Sequence, residues 1–392
     1  MMDNIASIQQ YIINHVANYE DEKAGKIDSH ERMLRYLEAP YEEMPQHEEV
    51  HELLKQRLAE NEVEAWFSFP DFSYKCESLP VEDAIARFGG GMPDFAKAVE
   101  KLIDMEFLVQ VPRRDGRKGY MRTYMLYLAF GSVLKNDHDP LTDAFIDWWM
   151  HILNDKVQLR APQPEHRVLP HETSLTGGAG ASGRVQMNLE IPDTREVLPT
   201  DLSDAVLSGV DCMAVIDCVC RAATEARGVR ACDYPIQDVC FLFNEAAREA
   251  IEVGYGRQIS NAEGIELMHR LRDMGLVQVI SNAARPLSMC NCCSCCCICL
   301  NSIAKQEGTL AIPSRFQAEI IHGGNCVGCG RCASICQMSA VTFGESGVDI
   351  SPAACIGCGQ CVVQCPAQVI GMKLKPGAPN GPARQTVNRI YL

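Results

Sequence analysis

The sequence is poor in positive charge: 36 Lys and Arg stand against 51 Asp and Glu in 392 residues, a formal net charge of −15. That balance opposes non-specific binding to nucleic acid or to an anionic membrane. Long apolar runs are missing too. The best candidate, Tyr124 to Leu134, is about half a membrane span and reads as buried core. The opening Met1-Met2-Asp3-Asn4 has neither a basic nor an apolar leader region, so no signal peptide is expected. A dinucleotide site is also lacking. Gly178-Ala179-Gly180-Ala181-Ser182-Gly183 has the GxGxxG spacing, but a polar stretch, His171 to Leu175, precedes it and no helical period follows. It reads as a flexible loop.

Cysteine is abundant: 21 are present, many adjacent or two residues apart. Such spacing suits metal ligation better than disulfide staples, so a reducing cytoplasm is the expected compartment. Hydrophobic content of 47% and charged content of 22% are those of a folded chain, long enough for several domains.

The pattern predicts an α/β multidomain protein. Residues 1–60 form an acidic helical segment, with 13 acids against 6 bases. Residues 61–160 read as a winged-helix-like domain. Helix 81–88 and helix 92–104 precede a strand at 107–111, a basic turn, and a second strand at 120–127. Residues 161–200, with several prolines and glycines, read as a linker or long loop. Residues 201–311 form a cysteine-rich α/β central domain, with a strand at 213–216, helices at 237–253 and 261–274, and a strand at 276–280. Residues 312–375 form a ferredoxin module, and 376–392 an extended tail.

The ferredoxin reading rests on an internal repeat. Cys326, Cys329, Cys332 and Cys336 recur as Cys355, Cys358, Cys361 and Cys365, each offset by 29 positions. Each half reads C-x2-C-x2-C-x3-C. Three thiolates two residues apart wrap one face of a cubane, and the fourth points to the other cluster. Two [4Fe–4S] clusters are therefore expected, one on Cys326, Cys329, Cys332 and Cys365, the other on Cys355, Cys358, Cys361 and Cys336. Zinc on paired C-x2-C motifs is the competing reading. The second half ends in Cys365-Pro366 but the first in Cys336-Gln337, a change that touches no ligand.

Eleven clustered cysteines lie in the central domain: Cys218, Cys220, Cys232, Cys240, Cys290, Cys292, Cys293, Cys295, Cys296, Cys297 and Cys299; Cys76 and Cys212 are isolated and read as plain buried cysteines. Cys290, Cys293, Cys296 and Cys299 form a comb of x2 spacing, with Cys292 and Cys295 interleaved. One or two additional Fe–S clusters, zinc, or a thiol relay would each use them. The pattern Asp217-Cys218-Val219-Cys220-Arg221, then Cys232 and Cys240, then Cys290-Asn291-Cys292-Cys293 with Cys295-Cys296-Cys297, resembles a family of iron–sulfur proteins of anaerobes. Its members join a winged-helix-like N-terminal region to this cysteine-rich domain and often end in a dicluster ferredoxin. The resemblance covers about residues 75–375. It implies 4Fe–4S binding and electron transfer, and it names no reaction.

Two other features are discounted. His47-Glu48-Glu49-Val50-His51 has the HExxH spacing, but it follows Pro45 in an acidic stretch and reads as a solvated helix start. The basic turn holds Arg113, Arg114, Arg117, Lys118 and Arg122, yet the would-be recognition helix shows Asp94, Lys97, Glu100 and Lys101. That mixed face favours docking to a protein over DNA. The expectation is therefore a non-catalytic electron-transfer subunit of a larger anaerobic oxidoreductase, with redox proteins as partners. A redox-sensing regulator that binds DNA, or an enzyme with an open-site central cluster, are the alternatives.

Overall fold

The computed structural model describes residues 27–38, 46–70, 78–91, 94–154 (without 114, 124 and 136–137), 164–176 and 197–386 (without 306–309, 345–346, 380 and 383). The GxGxxG stretch, Cys76 and Arg114 lie outside the described residues. The chain divides into two compact units: Met1–Pro162 with Ala222–Gly228 and Asn388–Leu392, and Gln163–Arg221 with Val229–Val387.

The first unit begins with helices Ser29–Glu38, His47–Arg57 and Glu60–Phe67. Trp66 is fully buried among them and its indole N–H donates to the Phe107 carbonyl at 2.7 Å. Helices Val81–Phe88 and Phe95–Asp104 follow, then the antiparallel strands Leu108–Pro112 and Lys118–Arg122. That is the expected order of elements. The second strand is shorter than expected, however, because Met125, Leu128, Ala129 and Val133 are buried at helical spacing. They form the 11-residue helix Met125–Lys135, which packs on Pro140–Asn154. Among the described residues no helix is long and apolar enough to cross a membrane.

Several of the charges singled out in this unit are engaged locally. Arg113 and Arg117 both bond Asp115, Arg113 also reaches the Ser78 carbonyl, and Arg117 reaches Asp83 at 2.9 Å. The Arg122 guanidinium lies 4.3 Å from the centre of the Tyr36 ring. The two histidines of the HExxH stretch face different acids: His47 bonds Glu38 and Glu31 at 2.9 and 3.0 Å, and His51 bonds Asp28 at 3.0 Å. Glu38 and Glu31 raise the His47 pKa against the opposing effect of burial.

The second unit is organised by a seven-stranded sheet. Its order is Ala311–Ile312, His166–Val168, Val277–Ser281, Ser288–Cys292, Cys240–Phe243, Met213–Ile216 and Arg257–Ile259, antiparallel apart from the first pair. Two sequence expectations change here. Residues 237–253 are not one helix. Cys240 to Phe243 are all buried between two neighbouring strands, and the run turns at Asn244, whose φ of 55° suits asparagine, into helix Asn244–Glu252. Residues 166–168, placed in a linker by their prolines and polar neighbours, form a sheet strand because Val168 and Leu169 are fully buried. Helix Glu172–Thr176 then packs on the ferredoxin helix Gln360–Val363. The tail forms its short strand Arg384–Thr386 only by pairing with Ala283–Arg285.

The ferredoxin module repeats one plan twice. Helices Arg331–Ser334 and Gln360–Val363 each hold the third of three closely spaced cysteines. Phe316–Ile320 pairs with Ile370–Leu374, and Val341–Gly344 with Gly347–Ile350.

Candidate metal centres

The repeat crosses over in space. Cys326, Cys329, Cys332 and Cys365 line one cavity, joined by Val327, Phe343 and Pro366. The Cys365 thiol thus sits with the other half's cysteines. In the second group, Cys336 and Cys355 both act on Cys358 and Cys361. Burial, with these neighbours, pushes the Cys358 thiol up to about 12 and raises Cys361 as well. A thiol held neutral by burial gives up its proton readily only to a cation that replaces it.

The backbone prepares these sulfurs for charge. Amides donate to them: Ala340 N–H to Cys336 at 3.2 Å, Val369 N–H to Cys365 at 3.4 Å, and Ala318 N–H to Cys355 at 3.5 Å. Such bonds stabilise thiolate and so favour a reduced, more negative centre. Gly357 shows why the inter-ligand glycines are needed. Its φ is +69°, and an added Cβ would stand 1.9 Å from the Phe316 carbonyl oxygen. Gly357→Ala is expected to cost more than the ~1–3 kcal/mol of backbone strain alone. It should strip metal from the second group while the first keeps its signal in electron paramagnetic resonance (EPR). An alanine variant with both signals intact would show that the loop yields.

The eleven central cysteines separate into two groups. Three antiparallel strands bring the first together at one end of the sheet: Ile216 faces Cys240, and Phe241 faces Met289, which sets Cys240 beside Cys290. Neighbouring thiols act on one another in sequence, Cys218 on Cys220 and Cys240, Cys220 on Cys297, Cys292 on Cys290 and Cys290 on Cys240, and Cys297 hydrogen-bonds Cys292 at 2.9 Å. This closes a ring of six thiols, and Cys299 joins through Cys297. The second group is Cys232, Cys293, Cys295 and Cys296. The x2 comb is therefore not one site. Cys290 and Cys292 share a strand face at period two, while the turn after the strand swings Cys293, Cys295 and Cys296 the other way.

Arg221 stands between the groups. It is fully buried, and it donates to the carbonyls of Pro235 at 2.8 Å and Asn291 at 2.6 Å. Burial alone would depress its pKa, but the thiols of Cys218, Cys293 and Cys240 raise it. Asn291 is itself strapped, donating to Val239 O at 2.8 Å and accepting from Gln278 at 3.0 Å.

Two glutamines, Gln360, which sequence reading passed over, and Gln337, noted there only as a departure from the repeat, seat the ferredoxin module against this region. The Gln337 carbonyl oxygen accepts from the Ser294 N–H at 3.0 Å and the Ser294 hydroxyl at 3.1 Å. Its amide donates to the Tyr234 hydroxyl at 3.0 Å and Gly275 O at 3.2 Å. Gln360 donates to Arg272 O and Leu276 O at 3.0 and 3.1 Å. Each glutamine neighbours a cysteine of the second ferredoxin group. The signal for Gln337 lay in the repeat, where the other half carries Pro366. The first group differs at its rim: Cys332 and Cys365 are buried, but Cys329 is exposed, and Val327 and Phe343 are 68% and 44% exposed.

No curated protein and no solved structure matches the chain. Residues 325–369 match the family model described as a 4Fe-4S dicluster domain. All eight cysteines of the repeat fall inside that span, and their grouping, amide donors and glycines fit such clusters; the chain carries an iron–sulfur dicluster domain.

Proposed function

We propose that the protein is an electron-transfer subunit of a larger oxidoreductase of an anaerobe, using both ferredoxin sites and a further cluster within the ring of central thiols. A [4Fe–4S] cluster, when bound, takes up and releases single electrons. Cys326, Cys329, Cys332 and Cys365 would hold one, and Cys355, Cys358, Cys361 and Cys336 the other. Cys218, Cys220, Cys240, Cys290, Cys292, Cys297 and Cys299 offer thiols for the third.

The observation that carries this reading is the asymmetry of the module. Its second group is anchored by Gln337 and Gln360 to the domain that holds the thiol ring, while its first opens on an exposed apolar rim. One side thus adjoins an internal centre, and the other can meet a redox partner. Arg113 and Arg117 of the basic turn are bonded to acids of their own unit, which weakens the reading of that turn as a DNA contact.

Anaerobically purified protein is expected to contain more than the roughly eight irons that two cubanes need, with matching sulfide. Identification of co-purifying proteins should return redox enzymes. Iron that stays at eight would remove the third cluster. Iron and sulfide near zero in freshly isolated, folded protein would end the electron-transfer reading altogether.

A further inference from the structure

We propose that Cys232, Cys293, Cys295 and Cys296 form a closed, mononuclear tetrathiolate site for one thiophilic divalent ion, zinc or ferrous iron, and do not serve as corner ligands of a cubane. Distance carries the argument. Cys232 lies 3.8 Å from both Cys293 and Cys296, and Cys295 lies 3.5 Å from both. All four sulfurs fall within 4.8 Å of one another. A tetrahedron with metal–sulfur bonds of about 2.3 Å has edges of about 3.8 Å. In a cubane each thiolate binds a different iron, so ligand sulfurs stand about 6 Å apart.

The same molecule supplies the contrast. Among the described residues this is the group of potential ligands drawn that tightly, and neither ferredoxin set nor the ring of six forms one. The ferredoxin sets, drawn less tightly, suit clusters, and the narrow one suits a single ion.

Charge and position agree. Binding one divalent ion to four thiols releases four protons and leaves a net charge of −2 on the site. The Arg221 guanidinium acts on Cys293 and offsets part of it. Four protein ligands leave no open position, so the ion is structural. It would clasp the loop bearing Cys232 to the turn bearing Cys293, Cys295 and Cys296. That loop also presents Tyr234, and that turn Ser294, and these two side chains grip Gln337. The site would therefore hold the seat of the second ferredoxin group.

The proposal builds on the electron-transfer reading only through that seat, and its test is separate. Cys232→Ser and Cys295→Ser proteins, purified anaerobically, would be analysed for zinc, iron and sulfide beside the wild type. The expected result is loss of one zinc per chain with iron and sulfide unchanged; loss of one iron without sulfide supports the same site with ferrous iron. Loss of about four irons with four sulfides would overturn the proposal, as would metal content that does not change. Should either variant fail to fold, X-ray absorption on the wild type decides. Four sulfurs at about 2.3 Å around zinc, with no metal neighbour, support the site. If zinc is absent, cobalt exchanged into the wild type should report a tetrahedral tetrathiolate, and its failure to bind would overturn the site. In the same samples, intact dicluster EPR signals alongside a negative result would leave the electron-transfer reading standing.

Discussion

Cys336→Ala should destroy the centre built on Cys355, Cys358 and Cys361 and spare the one nearest to it in sequence. Cys365→Ala should do the reverse. The ground is spatial: Cys365 lines the cavity of Cys326, Cys329 and Cys332, and Cys336 acts on the thiols of Cys358 and Cys361. A cubane short of one thiolate sheds its unligated iron or collapses, so iron should fall by about one to four per chain. The two centres are distinguishable because their surroundings differ. The first has exposed Cys329, whereas Cys361 is buried and the Gln360 beside it is hydrogen-bonded into the central domain. EPR of the two reduced variants therefore assigns the loss. If each substitution damaged the centre of its own half, the crossed arrangement would be wrong.

The second large effect concerns Arg221. Arg221→Met is expected to destabilise the second unit by about 3 kcal/mol or more, the scale for removing one partner of a buried charge pair. The side chain is fully buried and faces Cys218, Cys293 and Cys240. Methionine fills the space but leaves thiolate charge without its counterion, and it abandons the carbonyls of Pro235 and Asn291. Metal content of the central domain should fall with stability, while the ferredoxin signals persist. Arg221→Lys should recover part of the loss, since it keeps the charge but cannot reach both carbonyls as a fork. Denaturation followed anaerobically, with metal analysis of the same samples, tests this. Wild-type stability and loading in Arg221→Met would mean that the thiols need no buried cation.

The parts legible in the sequence were those with a short-range rule. The ferredoxin ligands recur at fixed spacing, so Cys326 to Cys365 could be grouped before any coordinates. Strand Met213–Ile216 and helix Asn261–Asp273 were visible as an apolar run and a helical period. Failures came where long-range pairing decided. Cys240–Phe243 could be read as part of a helix because nothing local announces its two strand neighbours. The division of the central cysteines was equally hidden. Adjacent residues such as Cys296 and Cys297 belong to different groups, and only the turn between strand and helix separates them. Gln337 was visible as a departure from the repeat, but its partners Ser294 and Tyr234 come from two distant segments.

The duplicated halves of the ferredoxin module also have unequal lifetimes built into them. The half around Cys329 is open to small oxidants, while Cys361 and its neighbours lie behind helix Glu172–Thr176, where the His171 N–H bonds Cys358 O at 2.7 Å. Oxygen reaching the protein meets the outer centre first. The inner one is shielded by the same packing that ties it to the central domain, so a module loaded with both clusters is expected to lose the outer signal first on brief exposure to air.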